Sequence, residues 1–116
     1  MGKAENFVEG YLEKQCSSND FLCFKFVSPG RRGVPDRIII AKGYVVLVET
    51  KSKIGHLSEI QKVRIKEILD RGGEVHVINT RCGVDDLIDD LKHRRKRASV
   101  PTDDELLHSL ILKDIT

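Results

Sequence analysis

The chain has 116 residues, 40% apolar and 33% charged, which suits one globular domain with a single modest core and argues against a multi-domain enzyme. Tryptophan is absent and aromatic residues make up 5%, so stacking of bases on aromatic side chains is a poor candidate for the main mode of nucleic-acid binding. The net charge is only +2 but it is segregated, with basic residues at Arg31, Arg32, Arg37, Lys51, Lys53 and Lys92 to Arg97, and acids at Asp85-Asp86, Asp89-Asp90 and Asp103 to Glu105, a distribution compatible with a phosphate-binding face.

Cys16, Cys23 and Cys82 are odd in number and widely spaced, and the four histidines sit at no zinc-ligand spacing. They read as three buried free thiols in a reducing compartment. No leader pattern opens the sequence, and no apolar run approaches the roughly 18–20 residues that a membrane span needs, so a cytoplasmic protein is expected.

In chain order, Ala4, Phe7, Val8, Tyr11, Leu12 and Gln15 follow helical spacing and predict an amphipathic helix over 3–16. Phe21 to Val27 predicts a strand, followed by the loop Ser28-Pro29-Gly30-Arg31-Arg32-Gly33. Two β-rich runs, Asp36 to Ala41 and Tyr44 to Lys51, flank Lys42-Gly43 and predict a hairpin. If Lys42-Gly43 is the loop, Ala41 faces Tyr44, and counting back along both strands puts Asp36 across from Glu49. Like charges at facing positions repel, so something positive should lie between them. Glu49 and Lys51 share one face of their strand. The second hairpin strand is apolar on both faces, as in a central strand covered on each side. A helix over 58–71 follows, ended by Gly72-Gly73, then a strand over 74–79 and a helix over 84–95. Residues 98–101 read as a linker, and Thr102 and Glu105 form a capping pair for a last short helix bearing Leu106, Leu107, Leu110 and Ile111. The expected architecture is mixed α/β, with helices on both faces of a small sheet, a domain over 1–97, and an appended segment over 98–116 that packs on the core or on a second copy.

Two carboxylates and an ammonium at one end of an apolar hairpin suit a hard divalent cation. Pro35-Asp36 followed by Glu49-Thr50-Lys51 resembles the PD-(D/E)XK nuclease signature. The surrounding text narrows the resemblance to the stand-alone phage and bacterial form of the virus-type replication-repair nuclease (VRR-Nuc) family. It is carried by Lys25 to Arg37, by Val48-Glu49-Thr50-Lys51 and by Leu57-Ser58-Glu59-Ile60-Gln61. It covers roughly residues 5–91, and Thr50 departs from the apolar residue common at its position. The resemblance implies a restriction-endonuclease-like core and a metal-dependent endonuclease acting on DNA. Asp36, Glu49 and the Thr50 carbonyl would hold Mg2+ or Mn2+, and Lys51 would orient the attacking water. It also implies a further acid from the first helix, where Glu5 and Glu9 share a face and Glu5 is the first choice. Gln61 would reach the site from the next helix, although Ser58-x-x-Gln61 is itself a capping box, so two roles compete for one side chain. Arg31, Arg32, Arg37 and Lys53 are candidate DNA contacts, with His56 and the Lys92–Arg97 run as weaker ones.

The family likeness favours branched DNA, with a Holliday-junction resolvase-like activity and a homodimer whose two-fold axis matches a four-way junction. The rivals are a monomeric flap or nicking nuclease, a non-catalytic DNA-binding subunit, and an α/β interaction module with no nucleic-acid role.

Overall fold

In the computed structural model, residues 3–52 and 54–97 are described, with side chains from Phe7 onward. The elements are α1 (Lys3–Ser18), β1 (Leu22–Lys25), β2 (Arg37–Ala41), β3 (Tyr44–Thr50), α2 (Glu59–Asp70), β4 (Val75–Ile78) and α3 (Arg81–His93), in the order expected from the sequence. Lys53, the side chain of Glu5 and the segment 98–116 lie outside the described residues.

The sheet runs β1-β2-β3-β4, antiparallel except for the β3–β4 pair, which is parallel. Parallel neighbours need a crossover, and α2 supplies it. Ala41 faces Tyr44 and the ladder runs back to Arg37 facing Val48, the register expected from the sequence. Lys42 (φ 53°) and Gly43 (φ 84°) both lie in the left-handed region, which is the two-residue turn whose twist matches a hairpin. A left-handed lysine is disfavoured by roughly 1–2 kcal/mol. Here Lys42 is tied down: its Nζ donates to the carbonyls of Lys92 and Arg94, and its own carbonyl accepts from the Arg97 N–H at 2.9 Å.

Strand alternation sorts the sheet into two faces. Ile39, Ala41, Val46, Val48 and Ile78 pack against Val8, Leu12 and Cys16 of α1 and Val84, Leu87, Ile88 and Leu91 of α3. Thr80 caps α3 by accepting from the Gly83 N–H at 3.0 Å, so the helix starts at Arg81, ahead of its first apolar residue, Val84. On the second face, α2 covers the β4 end and buries none of its own residues fully. The expectation of a central strand covered on each side therefore holds for Val46 and Val48, which are fully buried, and fails for Val45, which is 59% exposed. Leu22, Phe24 and Ile40 on the same face are exposed too. The reason is that α2 is a single short crossover and spans only part of the face.

The cysteines also differ from expectation. Cys16 is buried and Cys23 half-buried, but Cys82 is exposed, because it follows the first residue of α3 and turns outward while Val84 turns in. The Cys16 thiol is pushed up by its hydrogen bond with Cys23 and by burial.

Candidate active site

The end of the hairpin gathers side chains from α1, β2, β3 and α2. Asp36 stands at the mouth of β2, where its carbonyl accepts from the Phe26 N–H at 2.8 Å and so extends the β1–β2 pairing. Its carboxylate takes the Thr50 backbone N–H at 3.1 Å on Oδ1 and the Thr50 hydroxyl at 2.8 Å on Oδ2. Glu9, from α1, reaches the same place, with Oε1 3.3 Å from the Thr50 hydroxyl and the carboxyl in hydrogen-bond contact with Asp36. Burial is the main cause of an Asp36 pKa raised to about 6, and the neighbouring Glu9 adds to it, against the two Thr50 donors. Glu9 is thus an α1 acid placed at Asp36, while the side chain of Glu5, the first choice from the sequence, lies outside the described residues.

Glu49 is buried at 4% exposure and belongs to the other sheet face. Its Oε2 lies 3.6 Å from Lys51 Nζ and accepts from Gln61 Nε2 at 3.2 Å. The positive group expected near the acids is therefore Lys51, placed at Glu49, whereas Asp36 is satisfied by Thr50. The competition expected at Gln61 does not arise. Its Oε1 accepts from the Ser58 N–H at 2.9 Å, completing the capping box with Ser58 Oγ, while its Nε2 remains available for Glu49. An amide has both an acceptor and donors, and the two roles use different atoms.

Arg37 departs from its expected place on DNA. Strand alternation turns it to the α1 side, where it is 7% exposed and pairs with Glu13 Oε1 at 2.5 Å and Glu9 Oε2 at 3.6 Å. A guanidinium held between two helix carboxylates there stabilises the α1–sheet contact and is not offered to a phosphate. Arg31 and Arg32 are exposed, in keeping with a phosphate contact. Arg31 lines a shallow groove with Val34, Arg64, Glu67, Ile68 and Arg71, and Arg64 Nε donates to the Arg32 carbonyl at 2.8 Å. Arg64 on α2 and Arg71 at its C-cap, seven residues apart in the sequence, lie on the same side of the helix. Within the Lys92–Arg97 run, Arg94 is half-buried and occupied by Glu74 and Asp90, Arg94 and Arg97 both lie over the Tyr44 ring, and the other residues of the run are exposed. His56 is exposed on its loop.

Among the described residues, no group of three or more His, Cys, Asp and Glu is arranged as a metal cluster. The donor chemistry nevertheless fits a hard divalent cation. Asp36 and Glu9 offer carboxylate oxygens side by side, burial and then Glu9 make the charged form of Asp36 costly, a cost that a hard cation relieves, and Glu49 stands one residue from the Thr50 that contacts both.

No family model matches the chain. A protein of Acyrthosiphon pisum secondary endosymbiont phage 1 named "Putative nuclease p44" is 41% identical over 49 residues, which are 41% of this chain and 53% of that protein. The chain thus spans about half the length of the curated relative it matches. A solved structure described as a VRR_NUC domain superposes with a TM-score of 0.69 at 26% identity, over 76% of this chain and 97% of that one. The chain has the VRR-Nuc fold, a mixed α/β core of the PD-(D/E)XK type.

Proposed function

We propose that this chain, which carries the VRR-Nuc fold and the residues of its motif, is a metal-dependent, structure-selective DNA endonuclease that resolves four-way junctions as a homodimer. The observation that carries the reading is the placement of Asp36, Glu9, Glu49, Lys51 and Gln61 at one end of the β2–β3 hairpin, on a fold shared with a solved VRR_NUC domain. Asp36, Glu9 and Glu49, with the Thr50 carbonyl, are the oxygen donors for Mg2+ or Mn2+. Bound there, such an ion polarises the phosphate and lowers the pKa of a nearby water.

The chain's own groups do the rest. Lys51, half-buried beside Glu49, orients the attacking water and offsets charge that builds on the phosphate oxygens. Gln61 holds the Glu49 carboxylate at a fixed angle from a capped, rigid helix start. Arg31 and Arg32, with Arg71 at the C-cap of α2, receive backbone phosphates, which position DNA without reading its sequence. Water oxygen bonds to phosphorus, the P–O bond to one sugar breaks, and the products are one phosphate monoester end and one hydroxyl end.

A homodimer draws support from the exposed apolar sheet face at Leu22, Phe24, Ile40 and Val45, which a second copy would cover. Two related sites would then meet the two related strands of a junction.

The test is cleavage of labelled four-way junction, flap and plain duplex DNA in Mg2+, Mn2+ or EDTA, with Lys51→Ala in parallel. Paired nicks across the junction that need the metal, and a drop of at least about 100-fold in the variant, are expected. Cutting of flaps or duplex alone would keep the nuclease and discard the resolvase. Salt-sensitive binding without cutting of any substrate would make the chain a DNA-binding subunit.

A further inference from the structure

Thr50 occupies the middle of Glu49-Thr50-Lys51, where the sequence resemblance leads one to expect an apolar residue. Its side chain is fully buried, at 0% exposure. By strand alternation it faces away from Glu49 and Lys51, toward α1. A buried hydroxyl needs a partner. This one lies 2.8 Å from Asp36 Oδ2 and 3.3 Å from Glu9 Oε1, while the backbone N–H of the same residue lies 3.1 Å from Asp36 Oδ1. One residue therefore grips both oxygens of Asp36 and touches a second acid that comes from a different element.

We infer that Thr50 is a positioning residue whose hydroxyl fixes the rotation of the Asp36 carboxylate, and its spacing from Glu9, for a divalent cation. The inference rests on the reading of Asp36 as a cation ligand. The terminal torsion of an aspartate is broad and roughly two-fold, so a carboxylate held by a single donor can still turn. Two donors from one rigid strand position remove that freedom before the cation arrives, and less ordering is left to oppose binding. The hydroxyl carries one proton and can donate to only one carboxylate at a time. The shorter contact gives that proton to Asp36, and Glu9 is held instead by Asp36 and by Arg37. An apolar side chain could fill the same space but could grip neither acid.

The experiment is calorimetric titration of the full chain with Mn2+, alongside its thermal midpoint in EDTA, for wild type, Thr50→Val, Thr50→Ser and Thr50→Ala. Valine keeps the shape and removes the oxygen. Serine and alanine both lack the methyl group and differ from one another only in the oxygen, so this pair decides the matter even if valine perturbs the fold. The expected result is a Mn2+ affinity about tenfold weaker or more in the alanine variant than in the serine variant, the loss typical of removing a partner behind a metal ligand, with thermal midpoints in EDTA that match. Equal affinities in serine and alanine variants, with binding by wild type intact, would overturn the positioning role and leave the nuclease reading standing. Wild type that binds no Mn2+ would overturn both.

Discussion

Asp36 and Glu74 respond to pH in opposite directions, and the signs follow from their surroundings. Burial and Glu9 raise the Asp36 pKa from 3.8 to about 6, so the fold disfavours its charged form. Its contribution to stability is complete below the unfolded value and is lost as pH rises through about 6. The Arg94 hydrogen bond, with help from His76, lowers the Glu74 pKa from 4.5 to about 2. That contribution is present above the unfolded value and is lost as pH falls toward 2. Thermal melts in EDTA should therefore show Asp36→Asn gaining on wild type between pH 4 and pH 7. Mn2+ at pH 7 should stabilise wild type and leave the variant unchanged. A variant that tracks wild type across that range would show that Asp36 ionises freely in the fold. At this same scale the sequence was informative about Asp36, Glu49 and Lys51, whose types and spacing are local. It misplaced Arg37, because strand alternation gives a face but does not say that Glu9 and Glu13 wait on it.

The start of α2 joins helix stability to the site through one side chain. Gln61 completes the capping box with Ser58 through its oxygen and holds Glu49 through its nitrogen. Gln61→Glu retains the acceptor for the Ser58 N–H but has no donor for Glu49, and places a second carboxylate beside it. Gln61→Ala loses both. Melting should show the alanine variant destabilised by about 1 kcal/mol, the usual worth of a cap, with the glutamate variant close to wild type. Both should cleave at least about tenfold more slowly, the loss typical of removing a partner behind a metal ligand. Activity retained by Gln61→Glu would assign this residue to the helix alone. The capping box was legible in the sequence because its parts are three residues apart. The contact with Glu49 was suggested only by resemblance, since nothing local fixes how α2 lies on the sheet.

Among the described residues, one sheet face is packed under α1 and α3, and the other is only partly covered by α2. Leu22 and Val45, at 54% and 59% exposure among the described residues, flank Ile40 across three strands, an apolar row that the proposed second copy would cover. In light scattering, wild type should have the mass of two chains and Val45→Glu the mass of one. Paired junction cleavage should fall with the dimer, while the thermal midpoint of the variant, whose new charge lies at an exposed position, should change little. A monomeric wild type that still nicks both strands of a junction would remove the dimer from the mechanism.

By itself the sequence determined the order of elements, the hairpin register and the presence of an acid, acid and lysine motif, because each depends on spacing along one or two adjoining segments. The Lys42-Gly43 turn set the register, and apolar periodicity set the helices and the faces of the strands. Only the tertiary structure decided that Glu9 reaches Asp36, which arginine is buried, that Gln61 serves two partners at once, and that the Thr50 hydroxyl lies between Asp36 and Glu9. Those are contacts between elements far apart in the chain. They are set by how α1 and α2 are packed on the sheet, a property of the whole core that no local run of residues encodes.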